Sequence, residues 1–109
     1  MKRVVLESPF AGDVEKNIAY ARACVADCLR RGEAAIASHL LYTQPGILDD
    51  TKPEERKLGI EAGFTWNILA ETIVVYQDRG MSRGMNAGIE LAQKNGIPVE
   101  YRNLPGYTA

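Results

Sequence analysis

Residues 72–88 read Thr72-Ile-Val-Val-Tyr-Gln-Asp-Arg-Gly-Met-Ser-Arg-Gly-Met-Asn-Ala-Gly88. Thr72 to Tyr76 is a short run of β-branched and aromatic residues closed by turn formers, the clearest strand of the chain. Gly80 opens a glycine-rich turn, and a helical pattern starts after Ser82 and ends near Asn95-Gly96. A strand feeding a helix through a tight glycine turn is half of a parallel crossover unit.

The same alternation extends in both directions. Arg3 to Glu7 is an apolar run. From Val14 to Arg31, residues Val14, Ile18, Ala21, Val25, Cys28 and Leu29 recur at helical spacing, with Asp13 as the expected N-cap and Gly32 as the stop. Ala34 to Ser38 is a second strand-like run, followed by the long segment "HLLYTQPGILDDTKP". Pro53 suits the first turn of a second helix, with Glu54 and Glu55 near its positive dipole end. Leu58, Ala62, Trp66 and Leu69 are expected on one face of that helix. Pro98 to Tyr101 is the last strand-like run. Four strands alternating with three helices predict an α/β fold. It is expected as a single-domain, Rossmann-like or flavodoxin-like three-layer sandwich over residues 1–109, its four-stranded parallel sheet ordered 2-1-3-4.

Bulk chemistry excludes several function classes. The 109 residues are 46% hydrophobic and 25% charged, with a net charge of −1. That charge leaves no basic footprint for nucleic acid or an anionic membrane. No apolar run is long enough to span a bilayer, and Val4-Val5-Leu6 is too short for a secretory core, so a cytoplasmic location is expected. Cys24 and Cys28 share a helix face and read as small buried hydrophobes. No other Cys or His completes a metal site with them, so neither metal nor cofactor is expected. The small size points to self-association into a homo-oligomer.

Ligands of such sheets lie beyond the carboxyl ends of the strands. Three segments meet there. In the first, Ser8 can donate to a ligand, Phe10 can wall a planar ring, and Pro9 and Ala11 complete the loop. In the second, His39 follows the strand directly and is either structural or a site residue; Tyr42, Thr43 and Gln44 can read a base or sugar. In the third, Ser82, Arg83 and Gly84 put a hydroxyl, a planar cation and backbone N–H groups at a helix start, where anions bind. Gly88 reads instead as a packing glycine. Trp66 reads as core or subunit-interface packing before base stacking.

Taken together, "VVLESPFAG", "AIASHLL" and "IVVYQDRGMSRGMNAG" resemble the nucleoside 2-deoxyribosyltransferase-like fold, which includes deoxynucleotide N-hydrolases. They resemble still more a small uncharacterised domain family frequent in phage genomes. The resemblance implies a nucleoside or nucleotide ligand, its sugar over the third helix start and any 5′-phosphate near Ser82. It aligns His39 with a histidine of the hydrolases. It also aligns Asn86 with that family's glutamate nucleophile, and an amide is a very poor nucleophile. Two functions follow as expectations. One is a protein that binds a nucleotide derivative, including ADP-ribose-type signals, and sequesters it as a phage anti-defence protein in the host cytoplasm. The other is an N-glycosidase or transferase using another carboxylate, Asp78, Glu7 or Glu90.

Overall fold

A computed structural model describes residues 1–108. The strands are β1 (Lys2–Glu7), β2 (Glu33–Ile36), β3 (Thr72–Tyr76) and β4 (Val99–Arg102). The helices are α1 (Val14–Arg30), α2 (Ser38–Leu41), α3 (Pro53–Asn67) and α4 (Arg83–Lys94). All strand pairings are parallel, in the order β2-β1-β3-β4. This is the α/β fold and strand order expected from the alternation.

The pleat sorts the core into two layers. Val4, Leu6, Val74 and Tyr76 face Tyr20, Cys24 and Cys28 of α1. Val5, Ile73 and Val75 face Met85, Ile89 and Ala92 of α4. Every residue of β3 is buried, as a central strand covered on both faces requires. Asp13 caps α1 by accepting from the Lys16 amide, and Ser82 caps α4 by accepting from the Met85 amide at 3.3 Å. The two cysteines are free and buried in the α1 layer.

Three local expectations are corrected. β2 begins at Glu33 and stops at Ile36, and Ser38 opens the short helix α2 instead of closing the strand. The buried stripe of α1 is Asn17, Tyr20, Ala21, Cys24 and Cys28, leaving Val14 and Leu29 exposed. On α3 the apolar residues Leu58 and Trp66 are exposed, as is Leu69 in the turn after it, whereas Gly63 and Asn67 are buried. The reason is close packing: a Cβ on Gly63 would stand 2.6 Å from the Ser38 hydroxyl, so α2 presses on a glycine stripe of α3. No helix among the described residues is long and apolar enough to cross a membrane.

One polar cluster lies inside the α1 layer. Arg102 forks onto Glu33 through bonds of 2.7 and 2.6 Å and donates to the Tyr76 hydroxyl at 3.4 Å. Tyr76 in turn donates to Asp27 at 2.5 Å. The Arg102 guanidinium holds the Glu33 carboxyl below its usual range. Bidentate geometry and satisfied partners are what make a buried ion pair tolerable.

Candidate functional site

The carboxyl ends of β1, β2 and β3 release three loops at one edge of the sheet. The first is held from below. Asn17 of α1 donates to the carbonyls of Phe10 and Ala11 at 3.0 and 3.1 Å, and its side-chain oxygen accepts from Arg79 at 2.8 Å. Arg79 also donates to the Tyr107 hydroxyl at 3.0 Å, so one residue ties the β1 and β3 loops to the C-terminal segment. Asn17 and Arg79 escaped the sequence reading; a buried asparagine on an otherwise apolar helix stripe was the available signal.

Ser8 is buried, and its hydroxyl lies 2.7 Å from His39 Nε2. Burial lowers the His39 pKa to about 4, so the ring is neutral at physiological pH. A neutral imidazole can accept from Ser8 or donate to it, according to its tautomer. The sequence pair Ser8 and His39 is thus brought together, joining the ends of β1 and β2.

Phe10, His39 and Tyr42 line a cavity of about 90 Å³, closed by Thr43, Leu48, Asp50, Arg56 and Ile60 among others. Phe10 and Thr43 also border a larger cleft of about 620 Å³ beneath the 45–52 loop. Trp66 is half exposed and donates from Nε1 to the Tyr42 hydroxyl at 3.1 Å, fixing that ring. Arg56 is the cation at this cavity, 3.7 Å from Asp50, and was not anticipated. Pro9 is buried beneath the loop, whereas Ala11 and Gln44 are exposed; Gln44 lines neither cleft.

The α4 start follows a glycine-rich turn. Gly80 has φ of +84°, a turn that side chains rarely permit. Arg83 and Gly84 are exposed, and their backbone N–H groups have no acceptor among the described residues. Ser82 is engaged as the cap, with its own O–H available to a ligand. These three residues line neither of the two clefts above.

The carboxylates have different fates. Asp78 accepts from Tyr20 at 2.6 Å and from the Leu104 amide at 2.8 Å, tying β3 to α1 and the C-terminal segment. Glu90 and Asn86 are exposed on α4. Glu7 is only partly buried by exposed area, yet its carboxyl has no hydrogen-bond or ionic partner among the described residues. Burial raises its pKa to about 8. Its carboxyl lies against Gly88: a Cβ there would stand 2.0 Å from Glu7 Oε2 and 2.8 Å from Cδ. Among the described residues no cluster of three or more His, Cys, Asp and Glu is arranged to hold a metal.

The fold is similar to that of a solved 2-deoxyribosyltransferase from the psychrotolerant bacterium Bacillus psychrosaccharolyticus. The two superpose with a TM-score of 0.65 at 16% identity, covering 98% of this chain and 76% of the other. This likeness establishes a nucleoside 2-deoxyribosyltransferase-like fold. The chain itself belongs to the family described as Domain of unknown function (DUF7768), whose model matches residues 2–102. No curated protein matches it.

Proposed function

We propose that this protein binds a nucleotide or nucleoside derivative at the carboxyl edge of its sheet. The observation that carries the reading is the cleft of about 620 Å³ beneath the 45–52 loop, which shares Phe10 and Thr43 with the smaller cavity walled by Phe10, His39 and Tyr42. Together they offer an aromatic face for a planar ring and a neutral imidazole for hydrogen bonding, the mixed lining typical of small-molecule sites. The uncapped amides of Arg83 and Gly84, with the Ser82 hydroxyl, suit a phosphate. Arg56 and Arg83 supply cations for the anionic part of the ligand.

In the first reading the protein captures its ligand unchanged, sequestering an ADP-ribose-type signal as a phage anti-defence protein would. Asn86, which the sequence resemblance aligns with the glutamate nucleophile of deoxyribosyltransferase-like enzymes, supports this reading, because an amide can bind a sugar hydroxyl without attacking carbon. Mixing pure protein with nucleotides and ADP-ribose isomers, removing free ligand, then heating and chromatographing the supernatant tests it. Intact ligand in the supernatant supports capture, and no retention of any of them refutes binding. Arg83→Ala is expected to weaken retention of phosphorylated ligands by roughly tenfold, the contribution of one charge-assisted contact.

A second reading, N-glycosidic cleavage or transfer, draws on a carboxyl at the same edge: Glu7 ends β1 without a hydrogen-bond or ionic partner among the described residues, and burial raises its pKa. Self-association belongs to both readings. Trp66, Leu69, Leu29 and Ile36 line an apolar groove of about 630 Å³ along the β2 edge, a surface that a second copy would cover. A single-chain mass in solution would contradict it.

A further inference from the structure

We propose that the groove between α1 and the C-terminal segment is a second binding site, for a small phosphate monoester with an apolar body, and that Arg79 links its occupancy to the loop carrying Phe10. This groove shares no residue with the clefts at Phe10, and the proposal does not depend on the nucleotide reading above.

The groove holds about 330 Å³, within the roughly 300–1,000 Å³ of small-molecule sites. Its charged lining is Lys16 and Arg79, two cations and no carboxylate. Arg79 has only neutral partners: Nε donates to Asn17 Oδ1 at 2.8 Å and Nη1 to the Tyr107 hydroxyl at 3.0 Å. No carboxylate pairs with it among the described residues. Lys16 reaches Asp13 at 3.9 Å, with both side chains largely exposed, so that pair is weak.

A guanidinium has more N–H groups than Arg79 spends on these two bonds. Its Nη2 has no acceptor among the described residues, yet Asn67 Oδ1 is the only buried side-chain polar atom there without a partner. Nη2 is therefore open to a guest. A free guanidinium edge with an ammonium beside it suits a phosphate monoester, which carries a charge of about −2 near neutral pH.

The rest of the lining suits an apolar body. Ala19 and Ala23, one turn apart on α1, are small and exposed and keep the groove open, with Leu104 opposite charge-bearing Arg79 in the same lining. Tyr107 is held twice, by its hydroxyl on Arg79 and by its ring, which meets Tyr20 edge-on at 5.0 Å between centroids. It is a fixed wall for a flat guest.

Arg79 also reaches beyond the groove. The Asn17 amide that accepts from it donates to the carbonyls of Phe10 and Ala11 at 3.0 and 3.1 Å. An anion that fixes Arg79 thus steadies Asn17, and Asn17 steadies the loop carrying Phe10.

Phenyl phosphate is the probe, titrated into labelled protein at low salt and followed by amide chemical shifts. Inorganic phosphate, phenol and benzoate are run beside it. Shifts are expected at residues 16–23 and 104–108. Affinity for phenyl phosphate should exceed that for inorganic phosphate or phenol by about tenfold, and that for singly charged benzoate by about threefold. Arg79→Gln is expected to weaken binding by about tenfold or more and Lys16→Gln by about threefold. Ala23→Trp fills the groove from an exposed helix position without touching Arg79 and should abolish binding, which keeps the test sound if Arg79→Gln does not fold. Amide hydrogen exchange at Phe10, Ala11 and Gly12 should slow severalfold in the bound protein. No binding, shifts confined to residues 82–84, or undiminished affinity in Ala23→Trp overturns the site. Benzoate or inorganic phosphate binding as tightly as phenyl phosphate overturns the assigned ligand class. Binding with unchanged exchange at the Phe10 loop overturns the link through Arg79.

Discussion

Glu7→Gln has a consequence that needs no substrate. The unfolded chain releases the Glu7 proton near the ordinary value of 4.5, whereas the folded protein holds it to about pH 8. Between those values the folded state binds more protons than the unfolded state, so stability is present at low pH and declines as pH rises. Each pH unit of the gap is worth about 1.36 kcal/mol. Glutamine cannot ionise, so the variant lacks this decline. The advantage of Glu7→Gln over wild type should be about 2 kcal/mol at about pH 6 and should reach about 4.5 kcal/mol at about pH 9, relative to a protein in which Glu7 stays protonated. The comparison therefore widens by about 2.5 kcal/mol across the window, or roughly 10 °C in Tm for a chain of this size. Cys24 begins to contribute only above the ordinary thiol value of 9.0, which closes the window at its upper end. Urea unfolding of both proteins at half-unit pH steps is the assay. Two parallel stability curves would mean that Glu7 ionises as readily folded as unfolded, and the case for its burial against α4 would collapse.

The other expectations concern the same packing. Gly88→Ala should gain up to about 1 kcal/mol of helix propensity in a Glu7→Ala background and lose most of that gain in wild type, where the new methyl meets the carboxyl; equal effects in both backgrounds would deny the contact. His39 works in the opposite pH direction from Glu7. Its folded pKa of about 4 lies below the ordinary 6.5, so its contribution is present above pH 6.5 and fades as pH falls toward 4. That amounts to about 3 kcal/mol of acid sensitivity, which His39→Gln should abolish in acid unfolding curves. Arg102→Met should cost about 3–5 kcal/mol at neutral pH, because it strands Glu33, and adding Glu33→Gln should return much of that loss in denaturant titrations.

Much of this architecture was legible in the sequence because its signals are local. The buried run Thr72–Tyr76, the caps Asp13 and Ser82, and the strand-helix alternation each depend on neighbours within a few residues. The handedness rule then fixed the order of strands and the edge where loops meet. Helix faces were read less well. On α3 the inward stripe is glycine and asparagine, and Leu58 and Trp66 point outward, so apolar periodicity selected the wrong side. Only tertiary structure could match Ser38 to Gly63, Arg102 to Glu33, or the Glu7 carboxyl to the notch at Gly88. Glu7 and Gly88 lie at opposite ends of the chain, and no repeat or spacing connects them. A glycine in a helix announces missing volume, but what fills the volume depends on which strand the fold lays beside it.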